Sequence, residues 1–147
     1  MLTAERAATR LEIKANVEEI RTASDWLAAL CIQHELPDDA CYRLDVCLNE
    51  SLANLMAHGG PPALTNPVVL HVRCHRDESD SVASLTISDA GRAFDPAQPK
   101  TPIRPQTLNE AEPGGLGLLM MQRSADRILY HRMGNRNVVT FSVRWTS

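Results

Sequence analysis

Asp45-Val-Cys-Leu-Asn-Glu-Ser-Leu-Ala-Asn-Leu-Met-Ala-His58 is the stretch on which the fold reading turns. Leu44, Leu48, Leu52 and Leu55 recur at helical spacing and make one apolar face. Glu50, Asn54 and His58 recur every fourth residue on the neighbouring stripe. A carboxylate and a carboxamide are thereby held at the edge of a buried surface, facing the same way. Such a pair suits metal binding and proton acceptance.

The flanks define the helix. Pro37-Asp-Asp39 opens it with acidic residues in the first turn, and Gly59-Gly60-Pro61-Pro62 breaks it. Upstream, Arg10-Leu-Glu-Ile-Lys-Ala15 alternates as a strand. Asn16-Val-Glu-Glu19 resembles a capping box for a first helix, with Ile20, Ala23, Leu27, Leu30 and Cys31 facing the core. Downstream, 68–74 and 82–87 read as an antiparallel strand pair joined by a turn over 76–80. Residues 97–113 lose all periodicity and carry Pro99, Pro102, Pro105 and Pro113; a loop this long is usually functional or mobile. After Gly117 a helix is expected through Ala125. Strands over 127–131 and 138–145 then close the chain around a Gly134-Asn135 turn. The order β-α-α-β-β-loop-α-β-β does not alternate as a doubly wound fold would. It predicts an α+β two-layer sandwich: a mixed, mostly antiparallel sheet with helices on one face.

Bulk properties narrow the function. The chain has 147 residues, Lys+Arg 15 against Asp+Glu 18, and a formal charge of −3. One domain over 1–147 is expected. No basic run stands out, which argues against nucleic acid as a direct partner; Arg123, Arg127, Arg132, Arg136 and Arg144 read as a solvated face. No apolar run approaches the roughly 20 residues of a membrane span, and the N-terminus lacks a signal-peptide apolar region. A cytoplasmic protein is expected, and the Met1 start and Ser147 end read as a complete chain. Cys31, Cys41, Cys47 and Cys74 lack zinc-site spacing and are expected as reduced, mostly buried thiols. His34, His58, His71, His75 and His131 are scattered and read as no metal site.

Two further segments carry chemistry. Ser84-Leu-Thr-Ile-Ser88 runs into Asp89-Ala-Gly91, a carboxylate at a strand end followed by a residue that lets a ligand approach the backbone. An ordinary Asx turn would read the same way. Gly114-Gly-Leu-Gly117 precedes a helix, where backbone amides and the helix dipole favour an anion. It is neither a P-loop nor a dinucleotide fingerprint.

Taken in order, Glu50-Ser-Leu-Ala-Asn54 with His58-Gly59, Asp89-Ala-Gly-Arg-Ala-Phe-Asp-Pro96 and Gly114-Gly-Leu-Gly-Leu118 resemble the GHKL (Bergerat-fold) ATP-binding superfamily. Its small anti-sigma factor serine kinases of the RsbW type are the nearer match, over nearly the whole chain. The resemblance implies ATP and Mg²⁺ as cofactors. It implies Asn54 as the Mg²⁺ ligand and Glu50 as the general base on the attacking hydroxyl. Asp89 would accept from the adenine amino group, with Gly91 and Phe94 beside the base. Gly115, Leu116, Gly117 and Leu118 would offer amides to the phosphates, 97–113 would be the ATP lid, Arg104 would reach the γ-phosphate, and Thr140 would lie near the adenine. Asn49, Leu55 and Ala93 depart from the family pattern without removing a reacting group.

The implied activity is a serine/threonine protein kinase that phosphorylates a STAS-domain anti-sigma factor antagonist and otherwise holds a sigma factor, with a homodimer in keeping with the family. The alternative is a nucleotide-binding anti-sigma module with little chemistry; retention of Glu50 favours the kinase. The catalytic domain of a sensor histidine kinase fits poorly, because about 10 residues before the first strand cannot form a helical hairpin.

Overall fold

A computed structural model describes residues 9–98 and 115–146. The elements run β1 (Arg10–Ile13), α1 (Val17–Gln33), α2 (Asp38–His58), α3 (Pro61–Thr65), β2 (Val68–Arg76), β3 (Asp80–Asp89), α4 (Gly115–Ser124), β4 (Arg127–Met133) and β5 (Arg136–Thr146). The strands form one five-stranded sheet in the order β1-β2-β3-β5-β4, and each neighbouring pair is antiparallel. The expected mixed sheet is therefore antiparallel throughout. Helix α2 lies against β3 and β5, with α1 and α4 packed beside it.

Period-two alternation decides which side chains meet the helices. On β3, Ala83, Leu85, Ile87 and Asp89 are buried; on β5, Asn137, Val139, Phe141 and Val143 are. The apolar ones pack in one core with Leu44, Leu48, Leu52 and Leu55 of α2, Leu27 and Leu30 of α1, and Leu118 and Met121 of α4. Residues of opposite parity face away from the helices. There Ser84 meets Ser142 at 2.8 Å and Thr86 meets Thr140 at 2.9 Å, hydroxyl to hydroxyl.

The helix ends follow their sequence signals in part. Asn16 caps α1, its Oδ1 accepting the Glu19 N–H at 2.8 Å. Glu19 accepts from the Lys14 N–H at 3.2 Å, so the reciprocal half of the capping box is displaced by two residues. At the other end Glu35 takes a left-handed backbone (φ 54), and the Leu36 N–H donates to Cys31 O at 2.9 Å. The Arg76 guanidinium donates to the carbonyls of His34 and Glu35 there. Past α2, Gly60 (φ +83) reverses the chain, and Pro61 starts the short helix α3 where only a breaker was expected. Proline's fixed φ is already helical and the first helical N–H needs no partner.

The cysteine expectation is corrected in part. Cys31 and Cys41 form a disulfide, with Cα atoms 5.9 Å apart. The turn from α1 into α2 brings the last turn of one against the first turn of the other, a proximity that linear spacing does not reveal. Cys47 and Cys74 are free thiols. Burial pushes the Cys47 thiol up to about 12 against the opposing pull of Arg43, and burial raises Cys74 as well. No helix among the described residues is long and apolar enough to cross a membrane.

Candidate nucleotide site

A cleft of about 270 Å³ opens between α2, the end of β3, the segment after it, and α4. Asn54 and His58 of α2 line one wall, and Asp89, Arg92 and Phe94 line another. Ile87, Met121, Val139 and Leu55 supply the apolar surface. Helix α2 delivers its stripe here because its leucines are locked into the core, which turns the adjacent face toward the cleft.

Asp89 sits at the inner end and is 9% exposed. Its Oδ1 accepts from the Gly91 N–H at 2.9 Å and from Asn137 Nδ2 at 3.0 Å. Its Oδ2 has no partner among the described residues. A Cβ on Gly91 would come 2.7 Å from Leu55 Cδ1, 3.0 Å from Asp89 Oδ1 and 3.3 Å from the Gly59 backbone. Only glycine lets this segment lie so close to the end of α2, where the Arg92 N–H donates to Gly59 O at 3.0 Å.

The other end of the cleft is where α4 begins. A Cβ on Gly117 would come 2.6 Å from Glu50 Oε2 and 3.7 Å from Asn54 Oδ1. The carboxylate, the carboxamide and the first turn of α4 thus converge on one point. Neither Glu50 nor Asn54 has a hydrogen-bond partner among the described residues. The first turn of α4 lies beside them, where backbone amides point out of the helix. The helix begins at Gly115, two residues before Gly117, after which it was expected, so the glycines form its first turn. Gly115 faces open space, and the Leu116 side chain is 51% exposed. Leu118 is buried in the core, so only its backbone is available. Gln122 Nε2 ties α4 to the segment after β3, donating to Pro96 O at 3.0 Å and Gln98 O at 3.2 Å.

Thr140 does not reach this cleft. It is paired with Thr86 on the face of the sheet turned away from the helices. Asp89 and Thr140 lie on opposite faces because of strand parity. The residue opposite Asp89 is Asn137, which is 5% exposed and lines the cleft. Its position just past the Gly134-Asn135 turn reads as turn composition, so local pattern carries no signal for it. Arg92, Ser51 and Met121 were also missed; Ser51 Oγ donates to Met121 Sδ at 3.2 Å within the lining. Arg104, Gly114 and the expected lid, apart from Ala97 and Gln98, lie outside the described residues.

The donor set fits a nucleotide with its metal: a free acceptor at the inner end, an apolar middle, and oxygen ligands beside helix amides at the outer end. The model of the histidine kinase-like ATPase domain matches residues 13–143. The chain belongs to the histidine kinase-like ATPase domain family. Among the relatives of this chain, serine/threonine-protein kinase BtrW of Bordetella bronchiseptica is 27% identical over 132 residues, 90% of each chain. The structure of the RsbU and RsbW domains of Rv1364c from Mycobacterium tuberculosis superposes with a TM-score of 0.66 at 13% identity, over 95% of this chain. The ATPase fold described here spans 33% of that longer chain. The GHKL recognition made from the three motifs stands on these likenesses.

Proposed function

We propose that this chain is an ATP- and Mg²⁺-dependent serine/threonine protein kinase of the anti-sigma type. Its phosphoacceptor would be a STAS-domain antagonist, and its other partner a sigma factor or another regulated protein. The observation that carries the reading is the convergence of Glu50, Asn54 and the first turn of α4 at Gly117. Kinship with a protein named as a serine/threonine kinase supports it at the level of reaction class.

The roles follow from the chemistry of the groups. Asp89 Oδ2 accepts the N–H of the adenine amino group, and the apolar lining excludes water from the ring. Gly91 keeps the wall thin enough for the base to enter. Phe94, 42% exposed at the rim, offers a ring face beside it. The amides of Gly115, Leu116, Gly117 and Leu118 donate to phosphate oxygens. Asn54 Oδ1 would hold Mg²⁺, which would supply charge neutralisation at the phosphates. Glu50 accepts the proton of the attacking serine or threonine hydroxyl, with no competing hydrogen bond among the described residues to hold its carboxylate elsewhere. Phosphate added to the acceptor places two negative charges at the contact surface and releases it.

Retention with Mg·ATP on the immobilised protein, followed by phosphosite mass spectrometry, tests this. The expected result is a small STAS-like protein phosphorylated on one serine or threonine, with the modification absent for Glu50→Ala. A partner retained with no phosphorylation would leave a nucleotide-binding switch module in place of the kinase.

A further inference from the structure

Asn137 is a crossroads. Its Nδ2 donates to Asp89 Oδ1 at 3.0 Å, Arg92 O at 2.8 Å and Gly91 O at 3.3 Å. Its Oδ1 accepts from Tyr130 Oη at 2.7 Å, Arg132 Nη1 at 3.0 Å and the Phe94 N–H at 3.3 Å. One end of the carboxamide meets only acceptors and the other only donors. Rotating the amide by half a turn would set its oxygen against the Asp89, Gly91 and Arg92 oxygens. It would also set its NH₂ against a guanidinium and an amide N–H. Its polarity is therefore fixed by the surroundings. Two of the three donors to Oδ1 come from edge strand β4: the Tyr130 hydroxyl, and Arg132, which also holds Gly91 O at 2.8 Å.

We infer that Tyr130 and Arg132 set the nucleobase preference of the cleft by locking the Asn137 amide, which in turn fixes Asp89. This rests on the ATP-binding reading above. With Oδ1 saturated by N–H donors from Asn137 and Gly91, Asp89 presents only an acceptor, Oδ2, to the cleft. An acceptor there suits a base with an exocyclic amine and opposes one with a carbonyl at the same position. ATP and ITP differ at position 6, amine against carbonyl, and at the neighbouring N1, which is an acceptor in ATP and carries a proton in ITP. Tyr130 and Arg132 need not touch the nucleotide; they are positioning residues acting through Asn137.

The test is equilibrium titration of ATP and ITP, each with Mg²⁺, onto the intact chain. The protein should prefer ATP by a clear margin, since a site built around one hydrogen bond rejects the analogue that lacks it. Asn137→Asp keeps the shape and removes the donor to Asp89. An oxygen then faces Asp89 Oδ1 where an N–H stood, and the repulsion turns the Asp89 carboxylate out of its fixed orientation toward the cleft. The ATP/ITP affinity ratio should fall by roughly tenfold or more, the scale of one charged hydrogen bond. A folded Asn137→Asp with an unchanged ratio overturns the inference. Tyr130→Phe removes a single donor and serves if the first variant does not fold. It should weaken ATP by about 2–10-fold with a smaller effect on ITP, and equal weakening of both, or none, overturns the inference. A parent protein that binds neither nucleotide removes the ATP reading as well. One that binds ATP selectively yet transfers no phosphate leaves this inference standing while the kinase reading falls.

Discussion

At the Asp89 end of the cleft, the polar groups other than Asp89 Oδ2 are already spent on one another: Asp89 Oδ1, both ends of the Asn137 amide, the Arg132 guanidinium and the Gly91 and Phe94 amides form one network. At the Glu50 end, a carboxylate and a carboxamide stand beside a helix N-terminus with no hydrogen-bond partner among the described residues. The first arrangement is pre-organised, so a ligand entering it finds its geometry fixed in advance. The second is left unsatisfied, so its groups gain their partners only when phosphates, metal and acceptor arrive. Affinity and base choice should therefore reside at the inner end, and chemistry at the outer end.

Glu50→Ala gives the largest expected effect. Phosphoryl transfer should fall by about 10²–10⁴-fold while ATP affinity holds, read by single-turnover transfer beside nucleotide titration. Parallel loss of both would mean that Glu50 shapes the binding site and that the division of labour is wrong. Gly117→Ala is next. Its new Cβ would crowd Glu50 Oε2, the free end of a side chain that can swing away, so the fold should survive. A base displaced by about 1 Å should slow transfer by roughly 10–100-fold, with the thermal midpoint close to the parent's. A large loss of stability with transfer intact would show that the contact is packing alone.

Thr140→Val should leave ATP affinity unchanged and cost about 0.5–1.5 kcal/mol of stability through the lost bond to Thr86. A measurable drop in nucleotide affinity by titration would return Thr140 to the cleft and refute the face assignment.

The smallest effect lies away from the cleft. Asp126 accepts from the Arg144 N–H at 2.6 Å and from Arg43 Nη1 at 3.0 Å. Burial pushes its carboxyl up, but the Arg144 N–H and Arg43 outweigh burial and hold it below the ordinary value. Because the folded form holds its proton less tightly than the unfolded form, its contribution is present above the unfolded value of about 4. It is lost as pH falls through the lower folded value. The side chain is 45% exposed, so the amount is under about 1 kcal/mol. Asp126→Asn should flatten that part of the acid limb in thermal melts against pH and leave nucleotide binding alone. An acid limb identical to the parent's would remove the assignment.

Most of the architecture was legible in local pattern. The leucine spacing of α2 fixed which face it buries, and with it the direction of Glu50 and Asn54. Asn16, Pro37 and the Gly59-Gly60 pair marked helix ends, and strand alternation marked all five strands, though their ends ran longer than the pattern showed for β2 to β5. The three motifs placed Asn54, Asp89 and Phe94, which line one cleft, and Glu50 beside Gly117. Such features are written locally because helix and strand periods are short-range properties of the chain.

What the sequence could not determine was pairing across distance. Whether Thr140 or Asn137 meets Asp89 depends on strand register, and a single step of register moves a side chain to the opposite face of the sheet. The Cys31–Cys41 pairing depends on how α1 turns into α2. The polarity of the Asn137 amide depends on donors from β4 and acceptors after β3, segments some 40 residues apart whose positions are set by the folded sheet. Local periodicity placed the groups on their elements. Only the packed sheet and helices decided which of those groups share a hydrogen bond, because hydrogen bonds need ångström-scale proximity that linear spacing does not encode.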